Sequence, residues 1–82
     1  MIVKGSKMNK IEFLEELQDV LQREDECLEN DVLADYEEWD SLSKMAVMAF
    51  YNKKFGIKIS LNELMELKTV QDLILLTQGN VQ

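Results

Sequence analysis

Apolar residues recur at helical spacing near the start of the chain. Ile11, Leu14, Leu17 and Leu21 repeat with a period near that of an α-helix, Phe13 and Val20 lie beside them, and Asn9 followed by Glu12 has the form of a capping box. The pattern predicts a helix from about Lys10 to Gln22. From Arg23 to Asp40 the periodicity lapses and acids crowd in, so this stretch reads as a long loop tied down by Leu28, Val32 and Leu33. Long connections in small domains tend to be functional. At Asp40, a favourable N-cap, the helical pattern resumes and runs to about Phe55. Gly56 stops it, and Lys53 and Lys54 in the last turn suit the negative end of the helix dipole. Ile57 and Ile59 alternate with Lys58 in a short extended link. Ser60 with Glu63 opens a short helix through about Leu67, and Thr69 with Asp72 opens a last one from Val70 to about Thr77, closed by Gly79. No stretch alternates strongly enough to build a sheet. The expected fold is all-α: a bundle of four helices with a short third helix and a long loop between the first two. Residues 9–78 form the domain, 1–8 a flexible lead and 79–82 a C-terminal tail.

The second helix carries more apolar surface than one core can cover. Seven consecutive apolar residues, Met45 to Tyr51, cannot face one way when each residue turns the helix by about 100°. The rotation sorts them into two stripes. Val47, Met48, Tyr51 and Phe55 share the arc expected to face the core. Leu42, Met45, Ala46 and Ala49 follow an i, i+3, i+4, i+7 pattern on another arc that begins beside Ser41. An apolar stripe left outside in a small protein marks an interaction site; the alternative is that a neighbouring helix or the long loop covers it.

Composition narrows the chemistry. The 82 residues suffice for one domain. With no histidine and one cysteine, Cys27, the chain has no Cys/His zinc site, no Ser-His or Cys-His catalytic pair and no internal disulfide. Cys27 therefore reads as an incidental or core thiol. No apolar run approaches the length of a membrane span, and no secretory signal is evident behind Met1, so the expected setting is cytoplasmic, away from membranes. Charge is divided along the chain. Glu12 to Asp40 holds thirteen acids against Arg23 alone, whereas from Ser41 onward three acids face five lysines. The acidic half repels phosphate backbones, which argues against nucleic-acid binding, and reads either as a solvated face or as a means of steering toward basic partners. A calcium-binding loop over Asp31 to Leu42 fails on its own terms: it lacks the glycine needed at its sixth position and has Leu42 where the twelfth requires glutamate.

Asp40-Ser41-Leu42 at a helix start says little alone, because Asp-Ser is common at caps. Its context says more. Phe55-Gly56-Ile57 follows fourteen residues after the serine, then Ile59, then Thr69-Val70-Gln71-Asp72-Leu73. This ordered set resembles the acyl and peptidyl carrier proteins, from about Ile11 to Leu76. The resemblance implies a four-helix carrier fold in which Ser41 receives a covalent 4′-phosphopantetheine arm from coenzyme A, with Asp40 assisting the transfer. It implies no catalytic residue and no bound metal in this chain, which would act as a carrier rather than an enzyme. Its expected partners are a phosphopantetheinyl transferase, an acyl or aminoacyl ligase, and synthase or transferase enzymes, met by a monomer. Trp39, Leu42, Lys44, Met45, Ala49 and Lys53 are the expected partner surface.

The second helix departs from the carriers of fatty-acid synthesis, in which the matching helix is acidic. Here no acid follows Asp40 within it, Lys44, Lys53 and Lys54 stand instead, and Trp39 precedes Asp40. Carriers with tryptophan at that place look more like those of specialised pathways, such as polyketide, nonribosomal peptide or surface-polysaccharide synthesis. Three readings follow: an acyl carrier for a dedicated pathway, an aminoacyl or peptidyl carrier, and an unmodified helical docking module that kept the fold and lost the arm.

Overall fold

A computed structural model describes residues 8–81. It contains four helices, α1 (Lys10–Leu21), α2 (Ser41–Phe55), α3 (Leu61–Met65) and α4 (Val70–Leu75), with a 3-10 turn at Leu33–Asp35 inside the connection between α1 and α2. Among the described residues there is no strand, only two isolated bridges, Met8 with Val81 and Val32 with Thr69. No helix among them is long and apolar enough to cross a membrane.

Each helix starts where a polar side chain can hold its first turn. Asn9, Asp40, Ser60 and Thr69 are the N-caps, and all four form reciprocal capping boxes with the residue three places on. The ends are shorter than the periodicity suggests. Gln22 leaves α1 in the left-handed conformation, α3 stops at Met65 rather than Leu67, and α4 stops at Leu75 rather than Thr77. Beyond α4 the chain keeps winding in a tighter i to i−3 pattern, with the Thr77 and Gln78 N–H groups donating to Ile74 O and Leu75 O at 3.0 and 3.2 Å. Gly56 ends α2 at φ 69°, and its N–H and that of Ile57 satisfy Asn52 O and Tyr51 O.

The core draws on every element. Phe13, Leu17 and Leu21 of α1 meet Val47 and Tyr51 of α2, Leu64 of α3, and Val70, Leu73 and Ile74 of α4. Phe13, Phe50, Tyr51 and Phe55 form an aromatic cluster with centroids 5.4 to 6.2 Å apart in tilted or edge-on geometry. The buried Tyr51 hydroxyl donates to Leu73 O, and burial pushes its ionisation well above the usual phenol range, so it remains a donor. Ile11 is a correction to the expected α1 face: it is 69% exposed, because it sits two residues, about 200°, from Phe13 on the helix.

The α1–α2 connection is tied down differently from expectation. Leu33 is buried, but Leu28 and Val32 are exposed, and the apolar anchors beside Leu33 are Cys27 and Tyr36. The reason is pairing with the α3–α4 junction. Leu33 N–H donates to Lys68 O (2.8 Å), Val70 N–H to Asp31 O (3.0 Å) and Gln71 N–H to Glu29 O (2.9 Å). Neighbours along an extended segment point to opposite sides, so Leu33 pointing in sends Val32 out. Met8, assigned to the lead, and Val81, assigned to the tail, pair with each other, and Val81 is buried in the core. The remainder of the assigned lead, 1–7, lies outside the described residues.

Candidate functional site

Four loop residues set the position of the α2 start. Arg23 stacks on the Tyr36 ring, its guanidinium carbon 3.7 Å from the centroid, and pairs with Glu38 at 2.9 Å. Tyr36 donates its hydroxyl to Asp31 (2.7 Å), and the same Asp31 oxygen accepts from Leu28 N–H (3.0 Å). Burial first, and the bond to Asp31 next, push the Tyr36 phenol well above its usual range. Burial likewise pushes the Cys27 thiol up, which keeps it in its unreactive form. From Tyr36 the chain reaches the helix in two tight turns, Trp39 N–H donating to Tyr36 O and Asp40 N–H to Glu38 O.

At the helix start capping falls to Asp40 and Ser43, not to Ser41. Asp40 Oδ1 accepts from Ser43 N–H at 2.9 Å, and Ser43 Oγ accepts from Asp40 N–H at 3.0 Å. Hydrogen bonds to the carboxylate, that from the Ser43 N–H first, hold the exposed Asp40 carboxyl below the usual range. Ser41 occupies the first helical position, exposed, with its hydroxyl outside the capping box. The N–H groups of a first helical turn face outward without intrahelical partners and favour an anion placed before them.

The other sequence-predicted site residues spread from this point. Leu42 is 78% and Met45 59% exposed, and Ala46 and Ala49 are exposed with them, while Val47 and Tyr51 are buried and Met48 and Phe55 half-buried. The outward stripe is therefore uncovered. Lys44 and Trp39 are brought together, with Nζ 5.4 Å from the indole centroid. Lys53 is exposed but twelve residues along α2 from Ser41, a rise of about 18 Å, so it does not join the serine. Sequence reasoning missed the contribution of the α3 side. Met65 and Lys68 line a groove with Trp39 and Lys44, and only the pairing of the loop with Lys68 and Thr69 brings them there. It also missed Ser43, although a serine three places after an aspartate N-cap has the spacing of a capping box.

The arrangement fits a covalently attached phosphoester: an uncommitted primary hydroxyl, solvent on one side, and a helix N-terminus behind it. A family model described as phosphopantetheine attachment site matches residues 12–76, which span the helices from within α1 through α4. Compared with curated proteins and with solved structures, the chain has no significant match.

Proposed function

Because the chain belongs to the phosphopantetheine-binding family of non-catalytic carrier domains, we propose that its arm is attached at Ser41 and that it carries acyl groups for a specialised pathway. The observation that supports the site is the division of labour in one helical turn: Asp40 and Ser43 cap α2, and the exposed Ser41 hydroxyl is left over. On this reading a transferase forms a bond between Ser41 Oγ and phosphorus and breaks the pyrophosphate bond of coenzyme A, the nucleotide leaving with the bridging oxygen. Ser41 supplies the nucleophile; its proton passes to the transferase or to solvent. Asp40 stays ionised beside it because its carboxylate holds the Ser43 N–H. The dipole of the α2 N-terminus favours the phosphodiester at Ser41, while the Ser43 N–H stays with Asp40. The bound arm supplies a thiol for thioester formation, so a buried Cys27 is compatible with function.

Trp39 before Asp-Ser-Leu, and lysines rather than acids along α2, support a dedicated pathway over general fatty-acid synthesis. Acyl cargo is favoured over aminoacyl cargo only as the broader class, and the ligase that loads the thiol decides it. The same reading makes the protein a cytoplasmic monomer visited in turn by a transferase, a ligase and a synthase. Tethering raises the effective concentration of the cargo for each. Leu42, Met45 and Ala49, with Lys44 and Lys53, are the side chains those enzymes would meet.

The test is intact-mass spectrometry after incubation with coenzyme A, magnesium and a broad-specificity phosphopantetheinyl transferase. Addition of one arm is expected, and none in Ser41→Ala. An unmodified wild-type chain would leave a docking module, and modification that survives in the variant would remove Ser41 from the site.

A further inference from the structure

The groove beside the α2 start has a chemistry of its own. It encloses about 550 Å³ between the loop, the first turns of α2 and the end of α3, and is lined by Val32, Trp39, Lys44, Met65, Leu67 and Lys68. Val32 is 43% and Met65 61% exposed, so apolar surface faces solvent here. No acid lines it, in a chain of formal charge −7. Among the described residues the ion pairs are Lys10 with Glu29, Arg23 with Glu38 and Lys54 with Glu16, and neither groove lysine takes part. Lys44 rests over the Trp39 ring. Asp72, whose carboxyl the Lys68 charge helps to hold below the usual range, keeps its carboxylate on the N–H groups of Lys68 and Thr69 at 2.9 and 3.1 Å.

We infer that this groove docks a partner protein whose contact surface sets carboxylates around an apolar side chain. The apolar side chain packs on Met65, Leu67 and the indole edge, and the carboxylates pair with Lys44 and Lys68. Charge complementarity selects this occupant. Beyond its phosphate the pantetheine arm is uncharged and offers Lys68 nothing to pair with, and a second copy docked through the same groove would set Lys44 and Lys68 against their own equivalents. Rim charges of this kind raise the association rate and allow quick release, which a carrier visiting several enzymes needs. The inference rests on the carrier reading only in what the partner does, since an enzyme seated here lies within one helical turn of Ser41.

The test is an NMR titration of the unmodified ¹⁵N-labelled chain with an amphipathic helical peptide bearing glutamates around a Leu/Phe seam, and with its lysine-for-glutamate counterpart. The glutamate peptide is expected to shift the amides of Trp39, Lys44, Met65 and Lys68, less at high salt, and the lysine peptide to leave them in place. Lys44→Glu with Lys68→Glu should weaken the glutamate peptide by about tenfold, and Lys44→Gln with Lys68→Gln by less, with unchanged circular dichroism. Equal binding of both peptides, or shifts elsewhere, overturns the inference. So does movement of the same amides on concentrating the protein alone, which makes a second copy the occupant, or movement of the Met65 and Lys68 amides on attaching the arm, which makes the arm the occupant. A chain that gains the arm but ignores the glutamate peptide refutes the groove alone; one that binds the peptide but never gains the arm refutes the carrier reading alone.

Discussion

Ser41 and Ser43 stand in the same turn of α2 and do different work. Ser43 exchanges hydrogen bonds with Asp40 at both ends of the cap, whereas Ser41 stands outside it. Ser43→Ala should cost about 1 kcal/mol of unfolding free energy, and Ser41→Ala should leave the denaturation midpoint where it is. Urea denaturation of the two variants measures the contrast; equal losses would make Ser41 a capping residue. Asp40 and Asp72 extend the point to pH. Both carboxyls sit below their usual range in the folded chain, Asp40 chiefly through the Ser43 N–H and Asp72 chiefly through the Lys68 N–H. A depressed folded value means stability that is present above the unfolded carboxylate pKa, about 4, and lost as pH falls through the lower folded value. Denaturation midpoints should decline over that acid window, and Asp40→Asn with Asp72→Asn should make the decline shallower. The cap at Asp40 and the serine after it were legible from residue types and spacing alone. That Ser43 completes the cap was visible in spacing but needed geometry to be read.

Among the elements, the α1–α2 connection diverges most from its sequence pattern. It has no periodicity because, apart from the 3-10 turn at Leu33–Asp35, it is neither helix nor strand. Its backbone is satisfied by the α3–α4 junction, and its side chains by Arg23, Tyr36, Asp31 and Glu38 acting on one another. Such cross-chain partners leave no local signal, which is why Leu28 and Val32 were expected as anchors and Tyr36 was not. Tyr36→Phe removes the bond to Asp31 and should destabilise by about 1 kcal/mol. A thermal melt checks this, and hydrogen exchange should show the loss concentrated at the amides of Leu33 and Val70. The C-cap of α2 gives a cleaner case. A Cβ at Gly56 would meet nothing within 4 Å, so the requirement is conformational, set by φ 69°. Gly56→Ala should cost about 1 kcal/mol from the left-handed backbone, and Gly56→Asn less, as read from denaturation midpoints.

For the molecule as a whole, one helix must serve two surfaces. Val47, fully buried at the centre of α2, leaves a void when truncated, and Val47→Ala should destabilise by about 1 to 3 kcal/mol. Met45→Ala, on the exposed stripe, should change the midpoint little; calorimetry of the pair would show the stripes swapped if the order reversed. The fold class, the four caps, the two stripes and the family motif were all readable along the chain, because each depends on helical spacing or on an ordered set of short motifs. The anchoring of the loop, the pairing of Met8 with Val81 and the basic groove were not. Each needs residues far apart in sequence to meet, and such meetings follow from how helices pack and which backbone groups pair, quantities that no local window of residue types contains.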